Sequence, residues 1–531
     1  MKNKRIGIFV CILVILATII PVTGTVIKNS IPCPPKLGVE WEKKYGGNLI
    51  DWGNCIQQTS DGGYIISGTY YRNAWSLWYS YFYLIKIDIE GNEEWSQTYG
   101  PYDSEHVGKC VQQTKDGGYV VAGFQGVTYK YDITVHKTDE NGTLIWSQTF
   151  GDPDAYDIAQ SIQQTSDGGY IVTGTTNSFG AELSDILLLK IDANGKQEWV
   201  ITLGGFNQDS GNCIKETSDG GFVIVGETDS YGNNGDVYLV KTDNLGEEEW
   251  NKTFGGNGWD VGNSVQQTTD DGYIISGRYE NEDGNVNVFL LKTDSSGNEL
   301  WNKTFGGKDY DEGYCVQQTS DGGYFIVGFY TDPKYYDPDI LLIKTDTSGN
   351  IVWKKVFDNN DAEDVGYYGI ETSDGGFIVT GYTGFYLQEI IDVWVIKLGS
   401  ENHAPNTPII SGLNSGKSGI SYLYTFNSRD PDGDDIDEYI VNWGDGPDEL
   451  VIGPFVSGEE KNLSHTWASQ GIFTVKVKAK DIYGYESDWA EFTVTMPRAK
   501  INTLLMWLYT FLQNHPNLFP ILRLILQQLE F

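Results

Sequence analysis

The sequence predicts an all-β chain: a seven-bladed β-propeller of four-stranded blades, closed by an N-terminal strand, then a β-sandwich and a short helical tail. Three observations lead there. A block of about fifty residues with the core Gln-Gln-Thr-Ser-Asp-Gly-Gly-Tyr (Gln57 to Tyr64) recurs along the chain, its Asp standing at Asp61, Asp116, Asp167, Asp219, Asp270, Asp321 and Asp374. A Trp recurs in step at Trp41, Trp95, Trp146, Trp199, Trp250, Trp301 and Trp353. The first Trp precedes the first Asp-Gly-Gly and no such Trp follows the last, an offset that closes a ring. Repeats of this period form stacked or radial architectures, because one small sheet cannot bury its own faces.

Each strand follows from the first repeat. Asn54 to Thr59 alternates and suits a strand, and Ser60-Asp61-Gly62-Gly63 supplies a turn in which Gly accepts the positive φ a tight hairpin needs. Tyr64 to Thr69, Phe82 to Asp88 and Glu94 to Tyr99 are the next three strands, the last two joined by the turn Ile89-Glu90-Gly91-Asn92. The last repeat supplies only three, about Asp364 to Thr372, Phe377 to Tyr382 and Asp392 to Leu398. The missing fourth is Val39 to Tyr45, which carries the same Trp and removes an open edge. An open solenoid is the competing arrangement, and it leaves Trp41 without a partner sheet.

The chain has 531 residues, beyond one ordinary domain. It divides into a signal segment (1–24), the propeller (39–399), a linker (400–407), the sandwich (408–497) and an apolar tail (498–531). Lys plus Arg number 36 against 73 Asp plus Glu, a formal charge of -37. That field repels nucleic acid and anionic lipid; it favours calcium or basic partners, or serves solubility alone. Lys2, Lys4 and Arg5 before the apolar run Ile6 to Ile20 read as a secretory signal, with an uncleaved anchor as the alternative, so the chain is expected to be secreted or held at the cell surface. Cys55, Cys110, Cys213 and Cys315 hold one equivalent position in four blades, where Ser161 and Ser264 stand in two others; small size at a crowded inner strand explains them better than disulfides.

Beyond the linker, Tyr422 to Asn427, Asp437 to Trp443 and Phe473 to Lys480 alternate as strands of a sandwich of about seven. Asn442-Trp443-Gly444-Asp445-Gly446, His465-Thr466-Trp467, Gly471 to Val475 and Asp481 resemble the polycystic-kidney-disease (PKD) type of immunoglobulin-like domain, with Trp467 where Tyr is commoner. The resemblance implies an extracellular spacer or adhesion module with no catalytic residue of its own. The Asp-Gly-Gly-Tyr and Lys-x-Asp…Trp frame resembles secreted seven-bladed propeller repeats of bacterial and archaeal surface proteins, which implies an extracellular binding or scaffold protein. Repeat five departs from the frame at Asp270-Asp271-Gly272, and repeat two has His106 where the others have Asp.

Four candidate sites follow. Asp430, Asp432 and Asp434 offer oxygen ligands at alternate positions for calcium, or form a solvated acidic turn; no EF-hand fits, since Asp435 replaces its Gly. Asp51, Asp157, Asp209, Asp260, Asp311 and Asp364 open the innermost strands and either cap their own turns or ring a channel mouth around a cation; Asp132, Asp185, Asp236, Asp339 and Asp392 read alike. Aromatic residues gather in the loops between second and third strands: Tyr70, Tyr71, Trp75 and Trp78 with Arg72 in repeat one, Tyr335 and Tyr336 in repeat six, Phe385 and Tyr386 in repeat seven. Ring closure makes these neighbours, and aromatic planes beside carboxylates suit sugar rings; packing of loop on loop is the alternative. Arg278 is unusual in so Arg-poor a chain and could take a ligand carboxylate or sulfate, or pair with a surface acid. Catalysis finds little: only His106 and His136 lie in the repeats, and no Gly-x-Ser-x-Gly elbow occurs. A carboxylate pair for polysaccharide cleavage stays open. The expected function is non-catalytic adhesion or recognition of a glycan or surface protein. The alternatives are a secreted polysaccharide lyase or glycosidase, or an envelope spacer. The apolar tail, Leu504 to Leu512 and Leu518 to Leu529, suits contact with a membrane surface or a partner.

Overall fold

The computed structural model describes residues 38–47, 49–71, 79–101, 104–181, 183–232, 234–332, 334, 337–359, 362–385, 390–400, 403–497, 507, 510–512 and 514–515. Residues 1–37, with Cys11 and Cys33 among them, and most of the C-terminal tail lie outside them. Among the described residues no helix is long and apolar enough to cross a membrane. The chain forms two compact units, Lys36–Asn402 and a second that includes His403–Phe531.

Among the described residues, Lys36–Asn402 contains seven four-stranded antiparallel sheets. In the first, β2 (Asp51–Gln58), β3 (Tyr64–Tyr71), β4 (Ser80–Ile87) and β5 (Glu93–Tyr99) pair in chain order. Sheets two to six repeat this order, from Glu105–Gln113 through Ile351–Phe357. The seventh takes Glu363–Glu371, Phe377–Phe385 and Ile390–Leu398, and its fourth strand is β1, Val39–Tyr45. Trp41 faces Lys397 and Tyr45 faces Val393 across that ladder.

The sheets bury their faces on one another in chain order. Ile65, Phe82 and Leu84 of sheet one pack with Val111, Tyr119 and Val121 of sheet two. Equivalent clusters join each later pair, and Ile56, Ile66 and Ile85 of sheet one pack with Ile378, Val393 and Val395 of sheet seven. The periodic Trp bridges the same junctions: Trp95 meets Tyr119 at 5.8 Å, Trp353 meets Phe377 at 5.5 Å, and Trp41 meets Tyr64 at 6.3 Å. The first strands of successive sheets are stitched alike. Cys55 Sγ donates to the Val111 carbonyl and Cys315 Sγ to that of Gly369, so the free thiols are packing residues between sheets, as their small size suggests.

Each Asp-Gly-Gly turn is a polar rivet. Asp61 Oδ1 accepts from the Gly63 N–H (3.0 Å) and the Thr59 hydroxyl, while Asp61 Oδ2 lies 3.0 Å from Lys86 Nζ. Lys86 is only 3% exposed, and the pattern recurs to Lys397 with Asp374. A buried ammonium needs such a partner, because alone it would cost several kcal/mol. The first Gly of the turn is left-handed, φ +90° at Gly62, and has open space around its Cα; in repeat five Asp271 adopts φ 63° instead. Asp271→Gly is expected to raise stability by about 0.5 kcal/mol, relief of left-handed strain exceeding the added entropy of the unfolded chain. A chemical-denaturation midpoint that falls would contradict this.

The other unit has two sheets. One is the three strands Ile409–Gly412, Ser421–Asn427 and Lys461–Thr466; the other has Glu449–Phe455, Ile436–Asn442, Gly471–Asp481 and Ala490–Met496 in that spatial order. Their inner faces share Tyr424, Phe426, Tyr439, Val441, Val475 and Val477. Trp443 and Trp467 of the sequence motif are core residues: the Trp467 indole N–H donates to the Trp443 carbonyl, 3.1 Å, and His465 stacks on Trp443 at 4.5 Å.

Candidate functional site

The aspartates that open the first strands of six of the sheets are turn caps. Asp51 Oδ2 accepts from the Gly47 N–H (2.6 Å) and Oδ1 from that of Tyr71 (3.2 Å). Asp260 and Asp311 each receive two backbone N–H groups in the same way, and Asp209 and Asp364 each receive one. These bonds fix the connections at one end of the strands, the end that also carries the connections between second and third strands. The aspartates opening the third strands have a different environment. They meet the caps of the following sheet as paired carboxylates, Asp132 beside Asp157 and Asp185 beside Asp209.

Of the residues expected to form a stacking surface, Arg72, Trp75, Trp78, Tyr335, Tyr336 and Tyr386 lie outside the described residues. Tyr70 is half-buried with its ring 5.2 Å from that of Tyr83. Tyr71, 7% exposed, is a core residue packed edge-on against Trp52 at 5.9 Å, beside Ile50 and Ile391. The alternation of a strand sends these two neighbours to opposite faces, so both cannot line one surface. Phe385 ends its strand 39% exposed.

A cavity of about 790 Å³ opens at the same end, on sheets three to six. Tyr156, Asn177, Gln208, Asn212, Glu227, Trp259, Arg278 and Glu312 are among its walls. Trp259 lies in the connection into sheet five, directly before the cap Asp260, and is 51% exposed. Two groups hold its indole. Its Nε1–H donates to Glu227 Oε2 at 3.0 Å, and the Arg278 guanidinium carbon sits 4.3 Å from its ring centroid. Arg278 also donates to the Tyr310 hydroxyl, which donates to Glu312 Oε2 at 2.9 Å; Asn263 donates to Glu312 Oε1 at 2.8 Å. Arg278 Nε–H is buried without a hydrogen-bond partner. Burial raises the Glu227 carboxyl above the usual range, the Trp259 bond and the Arg278 charge oppose this, and the charges of Asp229 and Glu312 add to it. The site thus offers one half-exposed indole with a cation on one side, two carboxylates and several amides, a set that stacks a ring and bonds its hydroxyls.

Arg278 was legible in the sequence as a rare Arg. Trp259, Glu227 and Glu312 were not. The available signal was that Trp259 stands out of step with the periodic Trp.

In the other unit, Asp430, Asp432 and Asp434 each offer one carboxylate oxygen within 4.8 Å of the others. Asp430 Oδ1 accepts from the N–H groups of Asp432 (2.9 Å) and Asp434 (3.3 Å), and Asp430 Oδ2 is buried without a hydrogen bond. His403, which reads as linker in the sequence, binds Asp432 through its backbone N–H at 2.6 Å and its Nδ1 at 3.0 Å.

No protein-family model and no curated protein matches the chain. Part of the chain is similar to a PKD domain. That domain belongs to an M14-like peptidase from Thermoplasmatales archaeon SCGC AB-540-F20; it is 49% identical, and the match covers 18% of this chain and 99% of the other with a TM-score of 0.18. A tetra-tandem repeat in the extending region of a large adhesion protein is also similar, at 11% identity over 85% of this chain and 93% of that one, with a TM-score of 0.17.

Proposed function

We propose that the seven sheets are the blades of a closed β-propeller, and that the protein is an exported, non-catalytic binding or adhesion protein that holds a glycan at the Trp259 cavity. The observation that carries this reading is Trp259 itself, half-exposed yet fixed by Glu227 and Arg278. An immobilised indole loses little entropy when a sugar ring stacks on it, and the flanking carboxylates and amides accept and donate to hydroxyls. The sequence resemblance to PKD domains and to secreted propeller repeats supports a place outside the cell.

A glycan array with the full chain, followed by calorimetry on any hit, tests the reading. Trp259→Ala is expected to weaken the bound glycan by roughly 30-fold, the loss of about 2 kcal/mol typical of a central aromatic contact. Its melting temperature should stay within about 2 °C, because the side chain is exposed. No retained glycan, or an unchanged affinity in Trp259→Ala, overturns the assignment. The raised carboxyl of Glu227 near Glu312 favours a second reading, glycoside cleavage with Glu227 as acid. New reducing ends that vanish in Glu227→Gln while binding persists would establish it.

A further inference from the structure

The junction of sheets six and seven breaks the repeat in a way that builds a cation site. At the other junctions where a third-strand Asp meets a cap Asp, the residue after the preceding fourth strand is Gly, as at Gly151 and Gly204. These glycines press on the carboxylate pair: a Cβ on Gly204 would lie 2.5 Å from Asp209 Oδ2 and 2.6 Å from Asp185 Oδ1. In the sixth repeat that position is Asp358. A third carboxylate therefore enters where Asp339 and Asp364 converge, and one oxygen from each of the three lies within 4.8 Å of the others.

Two of the three are buried with an oxygen to spare. Asp339 is 5% exposed and Asp364 is fully buried, and Oδ1 of each accepts no hydrogen bond among the described residues. Oδ1 of neighbouring Asp337 is likewise buried and unbonded. Burial pushes the Asp339 carboxyl up to about 7, and the charges of Asp358, Asp337, Asp364 and Asp332 push the same way; on Asp364 the Thr383 side chain, the Asn359 N–H and the Lys44 charge act in the opposite sense. We propose that Asp339, Asp358 and Asp364 bind calcium and that the ion clamps sheet six to sheet seven. An all-oxygen, carboxylate-rich set suits a hard cation with several ligands, and waters complete the coordination.

The test uses the full chain carrying Asp432→Asn and Asp434→Asn, which silences the other acidic cluster, stripped with EDTA and titrated with calcium chloride. One calcium is expected, with Kd of about 10⁻⁴–10⁻³ M as in extracellular modules, together with a calcium-dependent rise in melting temperature. Asp358→Gly restores the residue of the other repeats. It should weaken calcium at least tenfold while leaving the calcium-free melting temperature unchanged or higher. Asp339→Asn should weaken calcium equally. No binding heat and no thermal shift at 10 mM calcium would overturn the proposal, as would unaltered affinity in Asp358→Gly. In either case the paired carboxylates would simply share protons.

Discussion

A chain beginning at Leu49 is expected to lose cooperative folding. Removing Val39–Tyr45 takes the fourth strand from sheet seven and leaves Ile390–Leu398 as a bare edge. It also removes Trp41 from Tyr64, the Tyr45 hydroxyl from the Gly91 carbonyl (2.6 Å), the Trp41 indole from the Ile89 carbonyl (3.1 Å), and Glu40 from buried Lys397 (3.2 Å). Each hydrogen bond contributes about 1 kcal/mol, and the buried aromatic contacts about 3–5 kcal/mol. Together these rival the entire stability of a folded domain, about 5–15 kcal/mol. The loss would not stay in sheet seven, because the strand also holds sheet one through the Ile89–Gly91 turn. Thermal melts should show a broad, non-cooperative transition. A synthetic peptide spanning residues 36–47 should restore cooperativity in trans by adding a strand to the open edge. A truncated chain that melts sharply within about 5 °C of the full one would refute the stabilising role of this strand.

In calcium-free buffer, stability is expected to peak on the acid side of neutrality, near pH 4–5. Burial chiefly raises Asp51 and Asp364 to about 6 and Asp339 to about 7, from an ordinary 3.8. A carboxyl raised in the folded state favours folding when protonated. Its contribution is complete below pH 3.8 and disappears as pH climbs through 6 to 7. The rivets act in the reverse sense. Burial opposes ionisation of Asp167, but Thr165, the Gly169 N–H and Lys190 outweigh it and hold the carboxyl at about 2, as their counterparts hold Asp219. Their contribution is present above pH 3.8 and lost on further acidification. His136, lowered to about 4 by burial and then by His106, offsets part of the acid gain between pH 6.5 and 4. A tenfold change in proton affinity is worth about 1.4 kcal/mol before solvent screening, so the three raised carboxyls outweigh one histidine. Melting at pH 5 should exceed that at pH 7.5 by about 5 °C in EDTA. A melting temperature that rises steadily from pH 4 to 8 would contradict this account.

The repeat made the strands readable. Val39 to Tyr45 is a strand as its Trp implied, and the three strands expected in the last repeat appear as Glu363–Glu371, Phe377–Phe385 and Ile390–Leu398. Of the two readings of Asp51 and its equivalents, capping is the one that the backbone bonds at Asp51, Asp260 and Asp311 support. The candidate site was less legible because it depends on what does not repeat. Aromatic density in one loop class drew attention to Tyr71, yet strand alternation buries that ring. Trp259 sits in another class of connection; Glu227 reaches it from a strand of sheet four, and Glu312 joins the same cavity wall from a strand of sheet six. Only three-dimensional convergence joins residues so spaced. Asp358 was equally hidden, since one acid among 73 carries no signal until the glycines at its equivalent positions are seen against carboxylates.

Glu40 meets Lys397 across 357 positions of sequence. The earliest part of this unit to leave the ribosome is therefore the last to find its seat. At about 5–20 residues per second, synthesis of the intervening chain takes roughly 20–70 s. Throughout that interval the strand Val39–Tyr45 waits without its ladder, and the face of sheet one that packs on sheet seven stays uncovered. A factor that keeps this stretch extended until the C-terminal end of the unit arrives would suit such a molecule. Rapid release in a crowded compartment would instead favour exchange of the leading strand between neighbouring copies.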